Sequence, residues 1–400
     1  MPLSTEALLE ELLAGIDREL PAAVELRHRL HSHPELAHAE EDTAAAVARE
    51  LPVPATTVAR TGRIARVGPA AGTTIAVRAE LDGLPVKERT YAPFSALGDA
   101  MHACGHDVHM AALVALTRAA HALSGQLPAA LTAIFQPSEE AYPSGAEQLA
   151  REGLPAIAPA AVVAAHIHPE LRWGTVALDP GVINASSDSV EIAVEGEPSH
   201  GAYPHHGRDP ILALAQIVVA LHAQLARRID PHNPVVLNVG VLEAGSTENV
   251  IPEMARARAS LRAHRPEDRL ALRAMVEEVV QGIAAAHGCT GSVTLVPGEP
   301  ALENDPGIVA LARELLTGAG LRPSPQWRSC GSDDFAFFGA LSPIAMAFVG
   351  LDGAEGFRVR PLHHPELLPP DSAVGAVARA QAVLYLAAAA STGSSRAAAG

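Results

Sequence analysis

The sequence predicts an α/β protein in which an α+β module is inserted into a larger domain. In residues 1–183, short apolar runs bounded by turn residues alternate with helical patterns, which is typical of strands buried in a sheet. Over 184–296 the order becomes strand, helix, strand, strand, helix, strand, the order of a ferredoxin-like module. The first pattern resumes at 297–390, and 391–400 has the composition of a disordered tail.

Composition excludes several classes of protein. With 400 residues, 48% of them hydrophobic and 18% charged, the chain can form a large core. A net charge of −16 argues against the basic surface of a nucleic-acid-binding protein. Three scattered cysteines do not form a disulfide framework. The N-terminus has no signal pattern, and we expect no apolar run near the ~20 residues of a membrane span. We therefore predict a cytoplasmic protein with neither nucleic acid nor membrane as partner.

The N-terminal elements are predicted to be helical. Apolar residues recur at helical spacing from Leu8 to Leu30, which predicts a surface helix over 5–30. The stretch RHRLHSHPELAHAEEDT follows, and its His and Glu residues are typical of solvated helix and turn positions around Pro34 rather than of a site. A short alanine-rich helix from Thr43 then leads into a loop rich in Pro and Thr.

Four separate segments place metal-binding residue types at or near the ends of predicted strands. In open α/β sheets the carboxyl edge of the strands is where sites form, so these groups predict a metal site. They are Asp82 after a strand at 74–79, Cys104 and His106 in the next loop, Glu139 and Glu140 after a strand at 131–135, and His166 after a strand at 161–165.

The remaining elements complete the two domains. A helix is predicted from Val108 to Leu123. The module contains strands at 188–194, 235–242, 255–263 and 292–296 and helices at 209–228 and 266–287. The larger domain resumes with a helix near 305–319, a buried strand at 344–349 and a final helix capped by Asp371.

The donor set indicates two metal ions rather than one. Its members are Cys104, His106, Glu140, His166 and one histidine of the His363–His364 pair. Five ligands exceed one tetrahedral zinc but suit two ions that share a bridge and an activated water. Glu139 can then take a proton from that water.

Other interpretations also fit these residues. Glu139 and Glu140 also fit a solvated acidic helix start, and MHACGHDVHM also fits a histidine-rich turn with a free cysteine. A Cys104–His106 nucleophilic dyad is less favoured, because neighbours two residues apart in a tight glycine turn seldom form the required hydrogen bond.

Eight motifs together resemble one known family. RAELDGLP, MHACGHDVHM, FQPSEE, AHIHP, PSHGAYPH, ENVIPE, CGSDDFAFF and PLHHPE occur in the order of the aminoacylase/carboxypeptidase metallohydrolase superfamily. The resemblance runs from about Leu26 to Leu386. It is strongest to the branch of hippurate hydrolases, N-acyl-amino-acid amidohydrolases and auxin-conjugate hydrolases.

The resemblance implies a metallopeptidase-like catalytic domain with a mixed sheet, a dinuclear site for Zn, Mn, Co or Ni, and an inserted lid that also forms a homodimer. It implies Cys104 as the bridging ligand, with His106, Glu140, His166 and His363 as the other ligands. Glu139 takes the place of the general base, with Asp82 among the catalytic residues. His200 matches a lid histidine that polarises the scissile carbonyl, often across a dimer. Asn249 and Arg262 match lid positions that hold the substrate.

The chain departs from the family pattern at three places. Glu80 stands where Asp is usual, and Glu195-Gly196-Glu197-Pro198 replaces the usual Gly-Lys-Gly before His200. His364 replaces a usual Ser or Asn, which leaves the choice between His363 and His364 open.

The predicted function is metal-dependent hydrolysis of N-acyl amino acids. Two alternatives are a dipeptidase or carboxypeptidase of the same chemistry, and a non-catalytic protein that uses the metal site for binding.

Overall fold

The computed structural model describes residues 3–399, with side chains for residues 3–393. Its α-helices are α1 (Thr5–Ser32), α2 (Glu41–Glu50), α3 (His106–Ala122), α4 (Gly145–Gln148), α5 (Leu154–Ile157), α6 (Pro210–Arg228), α7 (Pro266–Ala286), α8 (Pro306–Leu315) and α9 (Ser372–Ala399). Its strands are β1 (Thr56–Val58), β2 (Gly62–Val67), β3 (Thr74–Glu80), β4 (Ala130–Gln136), β5 (Ala161–Arg172), β6 (Thr175–Ala177), β7 (Gly181–Asn184), β8 (Ser186–Glu195), β9 (Ser199–His200), β10 (Val235–Ala244), β11 (Val250–Ile251), β12 (Met254–Ala263), β13 (Thr290–Pro297), β14 (Leu302–Asn304), β15 (Arg322–Pro323) and β16 (Ile344–Asp352).

The chain forms two compact units. Unit 1 comprises Met1–Gly181, Glu303–Trp327 and Phe337–Gly400, and unit 2 comprises Val182–Leu302 and Arg328–Ala336. The segment 328–336 belongs to unit 2, whereas the predicted module spans only 184–296. The roles of catalytic domain and lid remain predictions for these units.

Unit 1 is built on an eight-stranded mixed sheet in the order β1-β2-β4-β3-β5-β16-β6-β15. Its central strands β4, β3, β5 and β16 run parallel, and every residue of β3 and β4 is buried. Burial on both faces accounts for the continuous apolar runs in these strands. Helices α1, α3 and α9 pack together, and α9 also contacts β3 and β5. The predicted α/β class with a mixed sheet is confirmed.

Several predicted features of unit 1 differ from the structure. The loop rich in Pro and Thr contains β1 and β2, which pair antiparallel. The histidine-rich stretch 27–43 begins inside α1 and is only partly solvated, because Arg27, His31 and Glu40 are buried. The predicted tail from residue 391 is wrong up to Ala399, since α9 continues through it and Thr392 donates its hydroxyl to Ala388 O. Gly400 lies outside the described residues.

Unit 2 contains a four-stranded antiparallel sheet in the order β10-β12-β8-β13. Helices α6 and α7 pack with apolar residues of this sheet in one cluster. Helix α6 begins where the sequence predicts, because the Asp209 side chain accepts hydrogen bonds from Ile211 N and Leu212 N and Pro210 fixes the first helical position.

Two helices are long and apolar enough to cross a membrane, which contradicts the expectation that no segment approaches that length. Helix α9 is mostly buried and is a core helix of unit 1, whereas only 28% of the apolar window of α6 is buried. Length and composition do not by themselves distinguish α9 from a membrane helix, because a helix buried in a protein core needs the same apolar composition as one in lipid.

Candidate metal centre

The register of the parallel strands brings three of the predicted segments to one edge of the sheet. Glu80 pairs with Gln136 of β4, and Arg78 pairs with Ala164 of β5, so His166 lies level with Glu80. The prediction that His166 lies at the end of its strand is wrong, because β5 continues to pair with β16 beyond this residue.

Gly105 places Cys104 and His106 on either side of a turn that opens α3. Its φ of 81° lies in the left-handed region, and an added Cβ would come within 2.4 Å of Ile167 Cδ1. Glycine avoids both the strain and the clash. The helix therefore begins at His106, two residues earlier than predicted.

The His106 ring is oriented by a main-chain oxygen. Nδ1 donates to Asp82 O at 2.8 Å, while Nε2 is buried and has no hydrogen-bond partner among the described residues. Nε2 lies 3.9 Å from Glu139 Oε2 and 4.0 Å from Glu140 Oε1. A buried ring nitrogen that faces two carboxylates without bonding to either is arranged to bind a cation.

Cys104 and His166 form a second pair of donors. The Sγ of Cys104 lies 3.4 Å from Nε2 of His166, and His166 Nδ1 donates to Ile167 O at 2.6 Å. Since Nδ1 carries the proton, the lone pair of Nε2 points toward the thiol side of the site.

His363, rather than His364, faces the donor set. Nε2 of His363 lies 3.2 Å from Glu140 Oε1, although the geometry is not that of a hydrogen bond. The His363 main-chain N–H donates to Ala103 O at 2.8 Å, which fixes this loop beside Cys104. Nδ1 of His364 instead accepts from Glu366 N.

These donors fit a divalent metal ion. Two ligand atoms, each about 2.1 Å from one tetrahedral ion, lie about 3.4 Å apart, close to the spacings observed here. Burial alone would lower the pKa of His106, but Glu80, Asp82 and Glu140 raise it to about 10. Burial, followed by the charges of Glu140 and Glu139, raises the pKa of the Cys104 thiol. The excess of negative charge would stabilise a cation, whose binding releases these protons.

His109 lies within the cluster, but both of its ring nitrogens are already engaged. Nδ1 bonds to Glu80 Oε2 at 2.8 Å, and Nε2 accepts from Ile167 N at 3.0 Å. Glu80 also pairs with Arg78, whose Nε donates to Gln136. The sequence does not predict this buried hydrogen-bond network, because Glu80 and His109 lie 29 residues apart. Its position supports the strand that carries His166.

The predicted substrate-binding residues lie in unit 2. His200 is exposed in β9, opposite Val250, and its Nδ1 accepts from Ala202 N. Asn249 lies beside it, since Gly201 N donates to Asn249 O at 2.7 Å. Arg262 lies at the other end of β12 from Met254 and donates to Cys330 O and Ser332 Oγ. The structure thus brings His200 and Asn249 together.

A mixed α/β sheet with thiolate, imidazole and carboxylate donors at its carboxyl edge defines a protein that binds divalent metal. A family model independently matches residues 76–385. The chain belongs to Peptidase family M20/M25/M40.

Relatives of known name support this assignment. The chain is 32% identical over 369 residues to the N-acetyl-L-cysteine deacetylase of Bacillus subtilis (strain 168), covering 90% of this chain and 86% of that protein. It is 32% identical over 363 residues to the N-acetyldiaminopimelate deacetylase of Geobacillus sp. (strain WCH70), covering 88% of this chain and 94% of the relative. The crystal structure of the Bacillus subtilis YXEP protein, a dinuclear metal binding peptidase of the M20 family, matches with a TM-score of 0.80 at 28% identity, covering 92% of this chain and 98% of that one.

Proposed function

We propose that this protein hydrolyses the amide bond of N-acyl amino acids and releases a carboxylic acid and a free amino acid. The observation that carries the proposal is the pair of adjacent carboxylates at the donor set. Glu140 lies near both His106 Nε2 and His363 Nε2, while Glu139 approaches the same edge. Two relatives are named as deacetylases of N-acetyl amino acids, which supports this substrate class.

The proposed ligands are Cys104 as the bridge, with His106, Glu140, His166 and His363. Thiolate and imidazole donors suit Zn, Mn, Co or Ni, and two such ions would supply a water of lowered pKa and stabilise negative charge on the scissile carbonyl.

Glu139 is the proposed general base. It takes a proton from the attacking water and passes it to the leaving nitrogen, so the amine departs neutral. Asp82 orients two of its neighbours in the site: its side chain accepts from Glu140 N at 2.9 Å, and its main-chain oxygen accepts from His106 Nδ1. These contacts support a role for Asp82 in positioning the catalytic site, although Asp82 is not one of the proposed metal ligands.

A screen of N-acyl amino acids against protein loaded in turn with each metal tests this function. Glu139→Gln should retain metal and lower kcat by about 10²–10⁴-fold, since a carboxamide cannot accept the proton. Glu147→Gln is the matched control, because Glu147 pairs with Arg151 at the surface, and it should keep wild-type turnover. Loss of metal from Glu139→Gln would reverse the roles of Glu139 and Glu140.

The same screen separates the alternatives. A requirement for a free α-amine on the substrate would indicate a dipeptidase or carboxypeptidase. Bound metal without turnover of any acyl amino acid or peptide would indicate a binding protein.

For unit 2, the proposed roles are a lid and a dimer interface. His200 would polarise the scissile carbonyl, and Asn249 and Arg262 would hold the substrate. The exposed apolar residues Leu212 and Val219 of α6 support a contact with a second copy. We place the homodimer in the cytoplasm, without nucleic-acid or membrane partners, in keeping with the net charge of −16.

Mixing two inactive variants tests the dimer proposal. If His200 serves the neighbouring subunit, exchange between Glu139→Gln and His200→Ala proteins creates one intact site per heterodimer. Each heterodimer should then have about half of the activity of a wild-type dimer. Exchange without recovery would show that His200 does not act across the dimer. A fully active monomer in light scattering would rule out the dimer requirement.

A further inference from the structure

Glu40 is a buried carboxylate that no ligand or base assignment includes. Its Oε1 accepts from His38 N at 3.0 Å, from Ser138 N at 2.8 Å and from Ser138 Oγ at 3.1 Å. Its Oε2 accepts from Thr61 Oγ1 at 2.8 Å. The side chain is 0% exposed, so these hydrogen bonds replace the hydration that the carboxyl group loses on burial.

Ser138, the residue that Glu40 holds, adopts a left-handed conformation directly before Glu139. Its φ is 51°, which costs a residue other than glycine about 1–3 kcal/mol unless the surroundings fix it. Glu40 holds its N–H and hydroxyl, and Gly145 N donates to its carbonyl at 3.0 Å. Gly145 has no room for a side chain, since a Cβ would lie 1.7 Å from Pro137 O.

Glu140 is held by a different carboxylate. Its main-chain N–H donates to Asp82 Oδ2 at 2.9 Å. The N–H groups of Ser138 and Glu140, on either side of Glu139, therefore end on two buried carboxylates from distant parts of the chain. This arrangement fixes the backbone of the turn. It therefore also fixes the direction in which the side chains of Glu139 and Glu140 project from the turn.

We propose that Glu40 is a positioning residue for the general base. The proposal rests on the proposed function, because it takes Glu139 as the base. Glu40 never contacts the donor set. It acts through Ser138, by keeping the 138–140 turn in the one conformation that directs Glu139 and Glu140 to the same edge. A displacement of about 1 Å at a reacting group can cost about 10²-fold in rate, so loss of this restraint should reduce kcat rather than substrate affinity.

Two variants of Glu40 are compared with matched variants of Glu35. Glu40→Met removes every acceptor, and Glu40→Gln retains one acceptor oxygen in case the methionine variant fails to fold. Glu35 lies in the same segment, and its carboxylate accepts from Asp42 N and Thr43 N at the start of α2. Glu35→Met and Glu35→Gln therefore weaken carboxylate hydrogen bonds in the same segment, two in place of the four made by Glu40, away from the 138–140 turn.

The expected kinetic result is a kcat about 100-fold lower for Glu40→Met and about 10-fold lower for Glu40→Gln, with KM within about threefold and metal content unchanged. The Glu35 variants should keep kcat within about twofold. Unchanged kcat in both Glu40 variants would overturn the proposal, and so would a loss of kcat that follows loss of metal.

Amide hydrogen exchange supplies a readout that does not need activity. A peptide loses the label of its first two residues during mass spectrometry, and Pro137 has no amide hydrogen, so a peptide beginning at Gln136 reports first on Ser138, Glu139 and Glu140. Exchange in this turn should become faster in the Glu40 variants and stay unchanged in the Glu35 variants. If the wild type hydrolyses no N-acyl amino acid, the proposed function fails, yet faster exchange still supports positioning of the turn by Glu40. Unchanged exchange overturns the proposal in either case.

Discussion

Replacing Arg27 with methionine should destabilise unit 1 by about 3 kcal/mol. Arg27 is buried in α1, where Nε donates to Asp107 Oδ2 at 3.0 Å, Nη1 to Asp371 Oδ1 at 2.6 Å and Nη2 to Pro369 O at 2.6 Å. Removing one member of a buried ion pair typically costs about 3–5 kcal/mol, because the other charge loses its partner.

The lower end of that range applies here for two reasons. Asp371 is 48% exposed, so water replaces its lost contact at little cost. Asp107 keeps a second partner, since His31 Nδ1 lies 3.0 Å from its Oδ2. Burial alone would lower the pKa of His31, but Asp107 and Glu88 raise it to about 9, so His31 remains cationic at pH 7. The unpaired Pro369 oxygen adds to the loss.

Urea denaturation followed by tryptophan fluorescence measures this effect. The chain has two tryptophans, Trp173 and Trp327, and both lie in unit 1, so the signal reports that unit alone. Arg379→Met is the matched control, since Arg379 pairs with Asp17 at the surface and should contribute less than about 1 kcal/mol.

A double-mutant cycle between Arg27→Met and Asp107→Asn should give a coupling free energy of at least about 1.5 kcal/mol. A coupling near zero would refute the reasoning, as would equal destabilisation by Arg27→Met and Arg379→Met. Either result would show that burial does not distinguish the two ion pairs.

Three further predictions concern the donor set, unit 2 and specificity. Cys104→Ala should bind less metal by elemental analysis, because a methyl group has no lone pair, and two ions still bound would refute the bridging role. Burial alone would raise the pKa of Asp188, but hydrogen bonds from Arg269 and Arg273 lower it below its usual value. Its stabilisation is therefore present above the unfolded pKa of about 3.9 and is lost as the pH falls through the lower folded value. Asp188→Asn should lower the calorimetric Tm at pH 7, and a difference from wild type that does not shrink below about pH 4 would contradict this. Glu195 and Glu197 precede His200, the residue proposed to polarise the scissile carbonyl, so we expect acyl-Leu to exceed acyl-Asp in kcat/KM at low salt, and equal values would remove the basis for this preference.

The sequence predicts the donor set from patterns that are local in the chain. A buried strand ends at Gln136 and two carboxylates come next, and Gly105 separates a thiol from an imidazole. Parallel pairing then brings such strand ends together, so a local pattern was sufficient to locate the edge of the sheet.

The supporting residues could not be predicted in this way. Glu40 precedes Glu41 and Asp42 at the start of a helix, where a solvated carboxylate is the usual case. Its partner Ser138 lies 98 residues further along, and Asp107 lies 80 residues beyond Arg27. Only the folded chain shows that these charges are buried, because burial of a charge depends on partners that local spacing does not identify.

The position of β16 in the sheet determines when the metal site can be completed during synthesis. This strand lies between β5 and β6, yet the ribosome makes it only after all of unit 2. Until then the nascent sheet exposes the N–H and C=O groups of β5 along an open edge, a place where other chains can pair. His363 is synthesised later still, after the other proposed ligands Cys104, His106, Glu140 and His166. Binding of metal by all five proposed ligands would therefore follow closure of the sheet.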